Sequence, residues 1–164
     1  GGKFGLKTAR SIAMLSYRSY DGYGIPQKED FPYKCDKFRS ASYQQYQGDK
    51  FVKRFDAYAY WTLTKAMDSH NIGRGKGGVV AALERISART LVLGVDSDLL
   101  FPIHEQAFIA EHIPTSFLET ITSHYGHDGF LTETALVDEL IFDFLENDFA
   151  NYKKTIFKRS AVTV

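Results

Sequence analysis

The chain has 164 residues, with 20 Lys and Arg against 20 Asp and Glu, a formal net charge of zero, 44% hydrophobic residues and 15% aromatic ones. That balance argues against a chain that holds nucleic acid or anionic lipid by bulk charge, and no apolar run approaches the roughly 20 residues of a membrane helix. The length suits one globular domain able to bury roughly 70% of its unfolded surface.

In chain order, GLKTARSIAMLSYRS places Leu6, Ala9, Ile12, Ala13, Ser16 and Tyr17 on one face, which predicts a helix. DGYGIPQKEDFPYKCDKFRSAS brings Gly22, Gly24, Pro26 and Pro32 close together and reads as an irregular loop. The aromatic stretch that follows, from Ser42 to Asn71, spaces Tyr43, Tyr46, Phe51, Phe55, Tyr58 and Leu63 near the helical period. It predicts two helices, broken at Gly48 and ending before His70. GRGKGG reads as a loop and VVAALERI as a short helix.

Beyond it the pattern changes. TLVLGV is a continuous β-prone run, the signature of a strand buried on both faces. PIHEQAFIAEHI predicts a helix with Pro102 near its first turn, and SFLETI a second strand. DGFLTETALVDELIFDFLEND predicts one long helix burying Phe130, Leu131, Leu136, Leu140, Ile141 and Phe144. Strand, helix, strand, helix implies parallel strands in a doubly wound α/β sheet, yet two strands cannot complete such a sheet. The expectation is therefore a piece of a larger fold.

In open α/β sheets the chemistry lies just beyond the carboxyl ends of the strands. VDSDLLFP, after TLVLGV, offers Asp96 and Asp98; TSHYGHDGF, after SFLETI, offers His124, His127 and Asp128. An acid after one strand and a histidine after the next suit the acid–histidine half of a Ser-His-Asp triad. The competing reading makes the acids helix caps and the histidines solvated turn residues. HYGHD is a poor match for a metal site, having neither thiolates nor a paired helix, so no metal is expected. A nucleophilic serine needs a Gly-x-Ser-x-Gly-type elbow, and no serine here sits in one. Cys35, flanked by Lys34 and Asp36, reads as a bystander, and GRGKGG lacks the ending of a phosphate loop. The lone cysteine leans toward a reducing cytoplasm, and GGKFGLKTAR lacks the apolar core of a secretory signal.

GLKTARSIAMLSYRS, YQQYQGDKFVKRFDAYAYWTLTKAMD, LVLGVDSDLLFP and SHYGHDGFL resemble, in that order, segments of the homoserine O-acetyltransferase family, acyltransferases of the α/β-hydrolase superfamily. The resemblance runs from Gly5 to about Leu145. It implies the C-terminal part of an α/β-hydrolase fold with a helical lid: residues 1–20 as a core helix leading to the lid, 21–75 as the lid, and 76–164 as core. It also implies transfer of an acetyl group from acetyl-CoA, as co-substrate, to the hydroxyl of L-homoserine in methionine biosynthesis, through an acyl-serine in a ping-pong scheme and with no further cofactor. The family's acid falls on Asp98 and its histidine on His127, leaving Asp96 the lesser candidate. Arg10, Tyr17 and Asp128 fall on positions associated with substrate binding, and the aromatic helices on a lid that makes homodimer contacts. After RFDA the sequence departs from the family at Tyr58, Ala59 and Tyr60. The nucleophilic serine and the oxyanion hole are expected to precede Gly1, which leaves acetyl and succinyl donors undivided. The alternatives are an esterase, an acyltransferase for another acceptor such as serine, and a non-catalytic module pairing through its aromatic helices.

Overall fold

The computed structural model describes residues 1–153; the last residues of the expected core segment, 154–164, lie outside the described residues. Helix α1 (Lys3–Tyr17) buries Leu6 and Met14 and packs on α3 (Arg39–Arg54). The buried face is rotated from the expected one: Met14 enters and Ile12 is 65% exposed. The partner sets the rotation, because Lys7 pairs with Asp49 at 2.6 Å and its stem lies over Gly48 of α3. A Cβ at Gly48 would lie 2.5 Å from Lys7 Cγ. Gly48 is therefore a close-approach residue inside a continuous helix, not the break the sequence predicted.

The break falls at Phe55 and Asp56. Asp56 starts α4 (Ala57–Asp68) as its N-cap, accepting from the amides of Tyr58 at 2.8 Å and Ala59 at 2.9 Å. No residue of α4 is buried, so Tyr58, Trp61, Leu63 and Met67 stand exposed. The stretch expected as loop contains α2 (Tyr20–Gln27). Ser19 caps it, accepting from Gly22 N at 3.0 Å, with Asp21 in the first turn. Gly22 presses against the backbone of His124, so a tertiary contact and a cap outweigh the local Gly and Pro content.

The second half is built on two strands. β1 (Thr90–Val95) pairs in parallel with β2 (Ser116–Ile121), from Thr90 opposite Ser116 to Val95 opposite Ile121, and α6 (Ile103–His112) connects them. Among the described residues the sheet has these two strands. Val92, Val95, Phe117 and Ile121 are buried, whereas Leu91 and Leu93 are half-buried, so β1 is less enclosed than its composition predicts. α5 (Val79–Leu83) contributes Ala82 and Leu83 to the core.

The last segment is not one helix. A 3-10 turn (Gly126–Asp128) leads to α7 (Gly129–Thr132), and α8 (Thr134–Glu146) follows a break at Glu133. The break has a chemical cause: Glu133 Oε1 accepts a 2.9 Å hydrogen bond from Ser123 Oγ, tying the residue back to the strand end. Leu140 packs with Val95 and Ile121, and Val137 flanks them. Phe144 is half-buried, whereas Phe130, Leu131, Leu136 and Ile141, expected inside, are exposed. Arg89 closes the end of α8 by donating to the carbonyls of Phe144 and Asn147, with its guanidinium 4.2 Å from the Phe144 ring. Among the described residues no helix is long and apolar enough to cross a membrane.

Candidate active site

The loops leaving β1 and β2 lie side by side because their strands are parallel neighbours in register. Asp98 is 7% exposed and uses its two carboxylate oxygens differently. Oδ1 accepts from the amides of Leu100 at 2.8 Å and Phe101 at 3.1 Å, which turns the loop toward α6. Oδ2 lies 2.8 Å from His127 Nδ1. Asp98 is not the helix cap of the competing reading, since α6 begins after Pro102 with no side-chain cap; one oxygen turns the loop and the other meets the imidazole. A carboxylate at Nδ1 favours the tautomer with its proton there and leaves Nε2 free to accept one. The same carboxylate stabilises the imidazolium formed when Nε2 does so.

Asp96 does different work. Its Oδ1 accepts from Ser123 N at 3.1 Å, so it joins the two loops and leaves the imidazole to Asp98. His124 tilts against Tyr125 at 4.2 Å, and its carbonyl accepts from Ser19 Oγ. Among the described residues, no group of three or more His, Cys, Asp or Glu side chains is arranged to hold a metal ion.

Aromatic rings fix the plane of His127. Tyr17 stacks on it with centroids 5.4 Å apart at 29°, while Phe101 and Phe130 meet it edge-on at 5.1 and 5.5 Å. Arg10 sits two turns before Tyr17 with its guanidinium 5.7 Å from that ring and 5.5 Å from Phe51. It is held by cation–π contacts, a geometry that leaves its N–H donors unspent on any acid among the described residues. Asp128 stands at the N-cap of α7 but makes no side-chain capping bond; its Oδ2 lies 2.6 Å from Arg18 Nε. The fold therefore brings Tyr17 and Asp98 onto the His127 ring, sets Asp128 on the same turn facing Arg18, and holds Arg10 one aromatic layer further out.

Asp98 and His127 also line an open cavity of about 560 Å³, walled by Leu93, Ile121, Phe130 and Ile141. Sequence reading missed Arg18, Phe101, Phe130 and the serines of both loops. Arg18 follows Tyr17 directly and Phe101 stands three residues after Asp98, so proximity to predicted residues was the available signal.

An acid–histidine pair at the ends of adjacent parallel strands, joined by a crossover helix, is the arrangement of α/β-hydrolase-fold proteins. Solved structures agree on the fold: a crystal structure of an esterase superposes with a TM-score of 0.74 at 18% identity, covering 87% of this chain and 42% of that chain.

In sequence, the chain is a relative of homoserine O-acetyltransferases. It is 45% identical over 148 residues to the homoserine O-acetyltransferase of Cyclobacterium marinum, covering 90% of this chain and 42% of that protein. Against the enzyme of the same name from Salinibacter ruber it is 41% identical over 150 residues, covering 87% and 41%. The crystal structure of homoserine O-acetyltransferase from Staphylococcus aureus matches with a TM-score of 0.72 at 32% identity, covering 90% of this chain and 43% of that one. The chain thus spans about two fifths of the length of the curated relatives it matches. No family model matches the chain.

Proposed function

We propose that this chain is the acid–histidine half of an acyltransferase that moves an acetyl group from acetyl-CoA to the hydroxyl of L-homoserine. The observation that carries the reading is the 2.8 Å contact between Asp98 Oδ2 and His127 Nδ1 at the ends of two parallel strands, together with 40–45% identity to homoserine O-acetyltransferases.

In this reading the nucleophilic serine and the oxyanion donors come from polypeptide outside these 164 residues and meet His127 at the apolar cavity. His127 Nε2 takes the serine proton as the hydroxyl attacks the thioester, and the thiol of CoA leaves with a proton. His127 then takes the proton of the homoserine hydroxyl, which attacks the acyl-serine and regenerates the enzyme. Asp98 holds the imidazole in the correct tautomer through both steps. Arg10 suits the substrate carboxylate, Tyr17 shapes the wall beside His127, and Asp128 suits the substrate ammonium. No metal or further cofactor is required by this chemistry. The division into a leading helix (1–20), a lid (21–75) and core (76–164) fits the same reading, as does a homodimer formed through the exposed aromatic side of α4. Methionine biosynthesis in the cytoplasm is the corresponding setting.

The test is a donor and acceptor screen on the intact protein: acetyl-CoA and succinyl-CoA as donors, L-homoserine and L-serine as acceptors, and a simple acetyl ester with water. The reading expects preference for acetyl-CoA with homoserine, loss of turnover in His127→Ala, and chiefly a raised homoserine KM in Arg10→Ala. Ester hydrolysis without transfer supports an esterase instead, a reading favoured by the structural match to an esterase. The 164-residue chain on its own should release no burst of CoA, because this reading places the nucleophile and the oxyanion donors in other polypeptide.

A further inference from the structure

Ser97 lies between Asp96 and Asp98 and enters none of the roles above. Its hydroxyl spends its proton on the carbonyl of Ser123 at 2.5 Å and accepts from the amide of Gly126 at 3.0 Å. Both partners belong to the loop that carries His127, while Ser97 is covalently next to the acid. We infer that Ser97 is a positioning residue, whose hydroxyl sets the separation of Asp98 and His127 by clamping the two strand-end loops together. The inference rests on the acyl-transfer reading of the site for its kinetic consequence, though not for its geometry.

The surrounding hydrogen bonds make this hydroxyl hard to replace. Ser123 N is taken by Asp96 at 3.1 Å, and Ser123 Oγ accepts from Tyr125 N at 3.2 Å while donating to Glu133. The loop's backbone polar groups are thus satisfied by side chains and not by a ladder. On its far side the loop is blocked: Gly126 has φ +67°, and a Cβ there would lie 2.5 Å from Ser19 N, in the junction between α1 and α2. Removing the Ser97 hydroxyl leaves a carbonyl and an amide without partners in a half-buried site. With α1 closing one side, the loop can relieve this only by parting from the acid loop, which lengthens the Asp98–His127 contact. Ser97 itself touches no reacting atom. Its own hydroxyl is committed on both sides, so it acts through His127.

The experiment compares wild type, Ser97→Ala, Ser97→Thr and Asp98→Asn in the intact protein. It reads steady-state kinetics with acetyl-CoA and homoserine, the pH profile of kcat/KM, and the low-field proton resonance of His127 Nδ1–H. Ser97→Ala is expected to lower kcat about 10–100-fold, as small misplacement of a catalytic group does. KM for homoserine should stay within about threefold, the acid limb of the pH profile should move, and the low-field resonance should broaden or shift upfield. Ser97→Thr, which keeps the hydroxyl, should restore all three. Should Ser97→Ala not fold, Ser97→Cys carries the test, since a thiol is a weak donor and acceptor: intermediate kcat and resonance support the inference, and wild-type values overturn it. Wild-type kcat, pH profile and resonance in Ser97→Ala, with turnover abolished in Asp98→Asn, overturn the Ser97 role alone. Undiminished turnover in Asp98→Asn overturns the acyl-transfer reading, and the resonance then still reports whether Ser97 holds the pair.

Discussion

Arg18 Nε lies 2.6 Å from Asp128 Oδ2, joining the end of α1 to the turn that carries His127. The two side chains are 24% and 23% exposed, so water screens the pair only in part. Beside it Ser19 donates to the carbonyl of His124, and Gly22 packs against the same backbone. The histidine loop is therefore gripped from α1 as well as from the acid loop.

This grip is measurable. A double-mutant cycle of Arg18→Ala and Asp128→Ala, read by urea denaturation, should give a coupling of about 1 kcal/mol, the upper end for a partly exposed pair. Additivity within about 0.3 kcal/mol would mean the contact contributes nothing to stability.

The two acids of the first loop separate by function. Asp98→Asn keeps the shape but presents the wrong partner to Nδ1, and kcat should fall about 10⁴-fold. Asp96→Asn retains an oxygen for Ser123 N, so its kcat should stay within about tenfold of wild type. Equal losses in the two variants would remove the distinction the geometry draws.

Gly126 is constrained twice, by its φ of +67° and by the approach of α1. Gly126→Ala should cost about 2 kcal/mol or more in unfolding free energy, since positive φ and a backbone clash add. Gly24, which has open space at its Cβ position, is the control: Gly24→Ala should be near neutral or stabilising. Calorimetry on both variants decides the matter.

Acid should loosen the segment between α2 and α3. The Glu29 carboxyl is held below its usual value, first by the hydrogen bond from Lys34 Nζ and then by the Arg39 amide. A carboxylate with a lowered folded pKa contributes stability above its unfolded value, near ~4.3, and loses it as pH falls through the lower folded value. The protection factor of the Arg39 amide, its exchange taken against the intrinsic rate at each pH, should fall on acidification below about pH 4 in wild type. In Glu29→Ala, which offers that amide no acceptor, the protection should be lost already at neutral pH. Identical exchange in the two proteins at pH 7 would contradict the assignment.

The strands, the crossover helix and the two loops that hold the candidate acids and histidines were legible in the sequence because local signals suffice for them. TLVLGV and SFLETI are β-prone runs bounded by breakers, and strand-end loops are where α/β chemistry resides. What misled was local signal overruled from a distance. Gly48 looked like a helix break, but it is where Lys7 of α1 crosses α3. The Gly- and Pro-containing stretch after Ser19 looked like loop, but its first turn is capped and pressed onto His124. The last helix looked continuous, but Ser123 holds Glu133 out of it.

Composition and pattern were enough to decide that this neutral chain carries a parallel βαβ unit, with acids after one strand and histidines after the next. They could not divide Asp96 from Asp98, which lie two positions apart in one loop with the same side chain. The family resemblance favours Asp98, and the tertiary structure supplies the physical reason: the loop turns Asp98 toward the imidazole at 2.8 Å and Asp96 toward the amide of Ser123 at 3.1 Å. The direction of a side chain in a loop depends on hydrogen bonds to residues far along the chain, and no local periodicity encodes them.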